Sequence, residues 1–174
     1  MGGIARMAEA SAKRSQIENH DRPRQRRKKV LAVASGGGHW IQLLRVMEAF
    51  RDCDVTFVST HASYRPQVAD YKFYSVNDAS RSTKLGLIKT TLQLARIIWA
   101  ERPDVVVSTG AAPGYIALRL ARLTGARTVW LDSIANVDQL SLSGAKIGRH
   151  VDLWLTQWPH LVRPQGPHFG GSVL

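Results

Sequence analysis

Ser35-Gly36-Gly37-Gly38-His39 is the segment whose residue types and spacing point most directly to chemistry. Three successive glycines let a backbone approach a ligand closely, and the N–H groups that open a following helix attract phosphate. The spacing is not G-x-G-x-x-G. No acidic residue ends the next strand where a ribose contact would need one, so a dinucleotide cofactor is disfavoured. A tight strand-to-helix turn without ligand is the plain alternative. His39 would sit at the carboxyl edge of a sheet, where open α/β folds bind ligands. A neutral imidazole there can take a proton from a sugar hydroxyl as a general base, or it can be a helix-start histidine bonded to a hydroxyl or carbonyl.

A second loop, Ser108-Thr109-Gly110-Ala111-Ala112-Pro113-Gly114-Tyr115, has the same placement between a strand and a helix. Thr109, Gly110 and Gly114 join Ser35, Gly36, Gly37 and Gly38 as candidate contacts for phosphate or sugar. Two glycine-bearing loops at one sheet edge would face one cleft. A third group, Leu131-Asp132-Ser133-Ile134-Ala135-Asn136, follows another strand. Asp132, Ser133 and Asn136 can bond sugar hydroxyls, and Asp132 could orient or neutralise His39; a simple helix N-cap by Asp132 or Ser133 is the alternative. No group of residues reads as a metal site.

These loops need strands and helices to hold them. Val30–Ala34 is a short apolar run ending at glycines, as a strand buried on both faces should be. From Trp40 the pattern turns helical, with Leu43, Met47 and Phe50 on one face. Asp54–Ser59 and Lys72–Val76 read as strands, and Thr83–Arg102 as a long helix stopped by Pro103. Val105–Val107, Thr128–Leu131 and Val151–Thr156 are further strands. Ala111–Leu123 is a helix with Gly125 placed to end it, Val137–Ile147 holds a short helix, and Ser172–Leu174 is a final short strand. Strands alternating with helices predict an α/β fold: a Rossmann-like parallel sheet with helices on both faces.

The chain has 174 residues, enough for one α/β domain. It divides at residue 29. Residues 1–28 read as a basic, disordered tail and 29–174 as the folded unit. Residues 1–29 hold nine Lys or Arg against Glu9, Glu18 and Asp21, so they supply +6 of the formal charge of +11. Such a tail suits an anionic membrane surface or simple solvation. No aromatic residue interleaves with the cations, so a nucleic-acid role is not expected. Cys53 is the single cysteine, which fits a reducing cytoplasm. No signal peptide and no span of about 18 apolar residues is visible, so peripheral membrane contact is expected. The helix around Leu85 to Trp99 is apolar on more than one stripe, with Lys84, Lys89 and Arg96 among them. It suits either a bilayer interface or the core, and Arg81 to Lys84 could supply phosphate contacts.

From Lys29 onward the sequence resembles oligosaccharide-biosynthesis proteins of the Alg/PssD type, in six stretches that occur in family order. These are Val33–His39, Ser108–Gly114, Asp132–Val137, Leu140–Gly144, Gln157–Pro159 and Gly170–Leu174. The family includes the membrane-associated subunit of the eukaryotic dolichol-linked N-acetylglucosaminyltransferase and bacterial capsule and exopolysaccharide counterparts. The lipid-linked peptidoglycan N-acetylglucosaminyltransferase is a more distant single-chain relative, matching at Gly36, Gly37, Gly38 and His39. Eukaryotic members carry an N-terminal membrane helix where this chain has its basic tail, and several relatives have glutamate where Asp132 stands.

The resemblance implies the N-terminal, acceptor-binding lobe of a GT-B glycosyltransferase. A partner chain would supply the donor-binding lobe and hold a UDP-sugar there as substrate, with no tightly bound cofactor in this chain. The pair would transfer the sugar, with inversion, to a lipid-diphosphate-linked saccharide at the cytoplasmic membrane face, and this chain alone would be inactive. The ending at Leu174 would help to hold the partner. In that reading His39 and Asp132 are the catalytic candidates, and the glycine loops and Asn136 hold the acceptor. The alternatives are a non-catalytic scaffold that recruits the catalytic chain, or a free-standing nucleotide-binding module.

Overall fold

Val30-Leu31-Ala32-Val33-Ala34 has no polar side chain, as a strand covered on both sides requires, and all five residues are buried. In the computed structural model, which describes residues 26–78 and 84–173, this run is an interior strand of a seven-stranded parallel sheet. The strands are β1 (Lys29–Ala34), β2 (Asp54–Ser59), β3 (Lys72–Ser75), β4 (Val105–Ser108), β5 (Arg127–Leu131), β6 (Leu153–Thr156) and β7 (His168–Phe169), in the order β3-β2-β1-β4-β5-β6-β7. The Rossmann-like reading is thus the observed architecture. The order reverses at β1, between β2 and β4, where open α/β sheets form a ligand crevice at the carboxyl ends of their strands.

The alternation of β1 divides the core in two. Leu31 and Val33 meet Leu94, Ile98, Leu118 and Trp130 on one side. That side carries α2 (Lys84–Glu101), α3 (Ala111–Leu123) and α4 (Leu142–Ile147). Val30, Ala32 and Ala34 meet Trp40, Leu43 and Phe57 on the other. Here lie α1 (Gly38–Val46) and a 3-10 segment, Ala62–Val68, which is the crossover from β2 to β3. Trp40 pins that segment: its ring stacks on Tyr64 at 4.9 Å and its Nε1–H donates to Gln67 at 2.8 Å.

Two expected elements differ in their bounds. The short helix of the Val137–Ile147 stretch begins only at Leu142, because Ser141 is its N-cap and accepts from Gly144 N–H at 2.8 Å. Asp132 and Ser133 therefore cap no helix. The last strand is His168–Phe169, paired to Leu155 and Thr156, not Ser172–Leu174. Val173 is instead held by side chains, donating its N–H to Gln157 and accepting from Arg45. Gly125 ends α3 as expected, with φ 79°.

The stretch of the tail from 1 to 25 lies outside the described residues, as do Arg81, Ser82, Thr83 and Leu174. At the start of the described chain, Arg26 makes an ion pair with Asp104 at 2.6 Å.

Candidate functional site

The first glycine loop turns at Gly37, whose φ of 66° favours glycine, and leads directly into α1. Gly36 lets His61 lie against the backbone, since a methyl there would overlap the His61 ring. The Gly37 N–H donates to the Tyr64 hydroxyl at 2.9 Å. One donor of the expected phosphate cradle therefore already has a protein partner. Ser35 contributes its carbonyl, which accepts from Ser59 Oγ at 3.4 Å.

His39 is where the first two loops meet. Its Nδ1 lies 2.9 Å from the Thr109 carbonyl, and the Thr109 hydroxyl donates to the His39 carbonyl at 2.7 Å. A carbonyl can only accept, so Nδ1 carries the proton and, in the neutral ring, Nε2 keeps its lone pair. The imidazole lies flat on Gly110, where any side chain would overlap it and where φ is 141°. Gly110 thus seats the base candidate. Ala111, next in the chain, has φ 63°, a left-handed conformation that strains an L-residue. Gly114 is buried and packed on Ser108 and Trp130, with no room for a side chain.

Asp132 is 1% exposed, and its carboxyl hydrogen bonds go to groups other than His39. Its carboxylate accepts from the Ser141 hydroxyl at 2.5 Å, Ser141 N–H at 2.9 Å, Trp130 Nε1–H at 3.2 Å and Asn136 Nδ2–H at 3.5 Å. These donors satisfy a buried charge without a cation. They also fold the segment 132–141 into a closed loop. The expectation that Asp132 orients His39 is therefore corrected: the Thr109 carbonyl has that place, and Asp132 holds the loop.

A cleft of about 460 Å³ opens between His39 and Ala111 on one side and Ser133, Ala135, Asn136 and the stretch 139–143 on the other. His39 and Asn136 are thus brought together. None of the glycines of the two loops lines this cleft. Sequence reasoning did not single out Gln42, Ser141 or Gln157 as parts of the site. Ser141 and Gln157 fall in two of the stretches that carry the family resemblance, Leu140–Gly144 and Gln157–Pro159; Gln42 had no signal beyond being polar in apolar company. Among the described residues, no three His, Cys, Asp or Glu side chains gather as a metal group would.

Helix α2 has a buried side, with Thr90, Leu94, Ile97 and Ile98, and an apolar exposed side. Leu85, Ile88, Leu92 and Trp99 follow one another at spacings of three, four and seven, and Leu85 and Trp99 are 78% and 74% exposed. No helix among the described residues is long and apolar enough to cross a membrane.

Residues 29–141 match the model of a known family, "Glycosyl transferase 4-like". The chain belongs to that family. Among curated proteins, this glycosyl transferase 4-like chain is 24% identical over 179 residues to the UDP-N-acetylglucosamine transferase subunit ALG14 of Yarrowia lipolytica, covering 86% of this chain and 83% of that one. Among solved structures it resembles MurG of Acinetobacter baumannii, with a TM-score of 0.69 and 16% identity over 82% of this chain and 45% of MurG. It also resembles the UDP-GlcNAc 2-epimerase of Methanocaldococcus jannaschii, with a TM-score of 0.59 and 14% identity over 74% of this chain and 39% of that enzyme. The chain thus spans less than half the length of the solved structures it matches. Its fold is that of the N-terminal lobe of GT-B enzymes such as MurG.

Proposed function

We propose that this chain is the acceptor-binding half of an inverting glycosyltransferase, which moves a sugar from a UDP-sugar to a lipid-diphosphate-linked saccharide. The observation that carries this reading is His39, held by the Thr109 carbonyl with Nε2 free, at the edge of a cleft lined by hydroxyls and amides. The acceptor hydroxyl gives its proton to Nε2 as its oxygen bonds to the anomeric carbon of the donor sugar. The bond from that carbon to the diphosphate breaks, and UDP leaves with the electron pair. Ser133, Asn136 and Ser141 supply hydrogen bonds to the acceptor. The N-termini of α1 and α3, both beside His39, favour the acceptor's diphosphate.

The relative ALG14 is named as a subunit of a transferase, which supports a second chain that binds the donor. The exposed stripe of α2, flanked by Lys84, Lys89 and Arg96, supports peripheral attachment to an anionic membrane on its cytoplasmic face. The basic tail adds attraction of the same sign.

The deciding experiment pairs the chain with its donor-binding partner and measures transfer to a lipid-linked acceptor. Replacing His39 by Ala should lower the rate by about 10²–10⁴-fold while the melting temperature holds. Wild-type turnover in that variant would instead make the chain a scaffold for a catalytic partner.

A further inference from the structure

The stretch 132–141, which forms most of one cleft wall, has no regular secondary structure. Such a wall can present its hydroxyls to a ligand in one geometry only if its backbone groups are bonded from outside. Four side chains do this. Trp158 Nε1–H donates to the Ile134 carbonyl at 2.8 Å and His160 Nε2–H to the Val137 carbonyl at 2.6 Å. The other two are glutamines in places where an apolar residue would pack as well. Gln42 is 5% exposed on α1 between Trp40 and Leu43, and Gln157 is 2% exposed beyond β6.

Their amides form a directional chain. Gln42 Nε2–H donates to Ser133 Oγ at 3.0 Å, and its Oε1 accepts from Ile134 N–H at 3.1 Å and from Gln157 Nε2–H at 2.7 Å. Gln157 gives its second amide hydrogen to the Asp132 carbonyl at 3.0 Å. Its Oε1 accepts from Val173 N–H at 2.9 Å. Flipping either amide would set donor against donor in a buried site, so the orientation of each fixes the other. The first group in the series is the backbone N–H of Val173, far along the chain. Ser133 Oγ, at the other end, lines the cleft.

We infer that Gln42 and Gln157 are positioning residues for the acceptor-facing loop 132–141, and that the C-terminal segment at Val173 sets their orientation. The inference rests on the proposed function for the identity of the ligand, though not for the coupling itself. A change in how residues 170–173 lie is then felt at Ser133 and Ile134, without movement of the sheet.

Two measurements test it. In the paired enzyme, Gln42→Leu keeps the volume and removes three hydrogen bonds. It should raise the acceptor KM about tenfold or more, with kcat and donor KM changing less than about threefold. A residue that only stabilised the fold would lower the active fraction and leave both KM values alone. An unchanged acceptor KM in the folded variant overturns the inference. In the full chain alone, Val173→Pro removes the first donor. Amide hydrogen exchange at Ile134 and Ala135 should accelerate about tenfold, with the β1 amides unchanged. Unaltered exchange at both residues refutes the link to the C-terminal segment. If the wild-type pair transfers no sugar, the functional reading fails, and the exchange measurement still decides the coupling.

Discussion

The two ends of the sheet are built from different chemistry. At the amino ends of the strands, charge is matched with charge. Arg26 pairs with Asp104, Lys72 with Glu101 and Arg127 with Asp152. Hydrogen bonds from the Lys29 backbone and from Arg26 hold the Asp104 carboxyl below its usual range. At Glu101, burial pushes the carboxyl up, but hydrogen bonds from Tyr74 and Lys72 outweigh it and the net shift is downward. At the carboxyl ends, the hydrogen bonds of His39 and Asp132 involve no cation. The buried carboxyl group of Asp132 is met by a carboxamide, a hydroxyl, an indole and a backbone N–H. The amino end is closed on itself. The carboxyl end places uncharged donors and the N-termini of α1 and α3 around the cleft, which suits an anionic ligand.

This contrast can be broken from the carboxyl end first. Gly110→Ala should push the His39 ring off its seat and cost about 10² in transfer rate. Combined with His39→Ala it should cost little more than His39→Ala alone, because both act on one group; additive losses would mean that Gly110 serves something else. Asp132→Asn puts two amide hydrogens among donors, so the protein should lose about 1–3 kcal/mol of stability in denaturant titration. A variant as stable as wild type would show that the loop is held by other contacts. Ala111→Gly relieves a left-handed residue and should raise stability by about 0.5–1 kcal/mol, the glycine entropy offsetting part of the gain.

At the amino end the effect is smaller and depends on pH. The Asp104 carboxyl titrates lower in the folded chain than in the unfolded one, so its contribution is present above the unfolded value. It starts to be lost as pH falls below about 4 and is gone beneath the folded value. Asp104→Asn should therefore lower the melting temperature slightly at pH 7 and make no difference at the acid limit. A difference that stayed constant with pH would remove the ion pair and its hydrogen bonds as the cause.

The sheet was legible because its signals are local. An all-apolar Val30–Ala34 ending at glycines has few other homes, and two of the helices have a terminator, Pro103 and Gly125. His39 and the meeting of the two glycine loops followed from placing each loop after a strand. What was not legible depends on contacts distant in sequence. Nothing near Asp132 says that its partner is Ser141 and not His39. Gly114 looks like a ligand glycine by spacing, yet Ser108 and Trp130 fill the space before it. Gln42 and Gln157 are 115 positions apart, and only the fold brings their amides within 2.7 Å. The β2–β3 crossover went unread because a short 3-10 segment has no 3.6-residue apolar repeat to detect.

The interior position of β1, between β2 and β4, also bears on how this chain comes into being. On a ribosome, the strand emerges early with both apolar faces bare. Its second neighbour, β4, arrives only later, since His39 and Thr109 are 70 residues apart. Until then the imidazole has no seat and the first glycine loop nothing to lean on. Assembly of this site is consequently a late event in biogenesis, and a nascent chain stalled before Thr109 would show chaperones an unpaired hydrophobic strand.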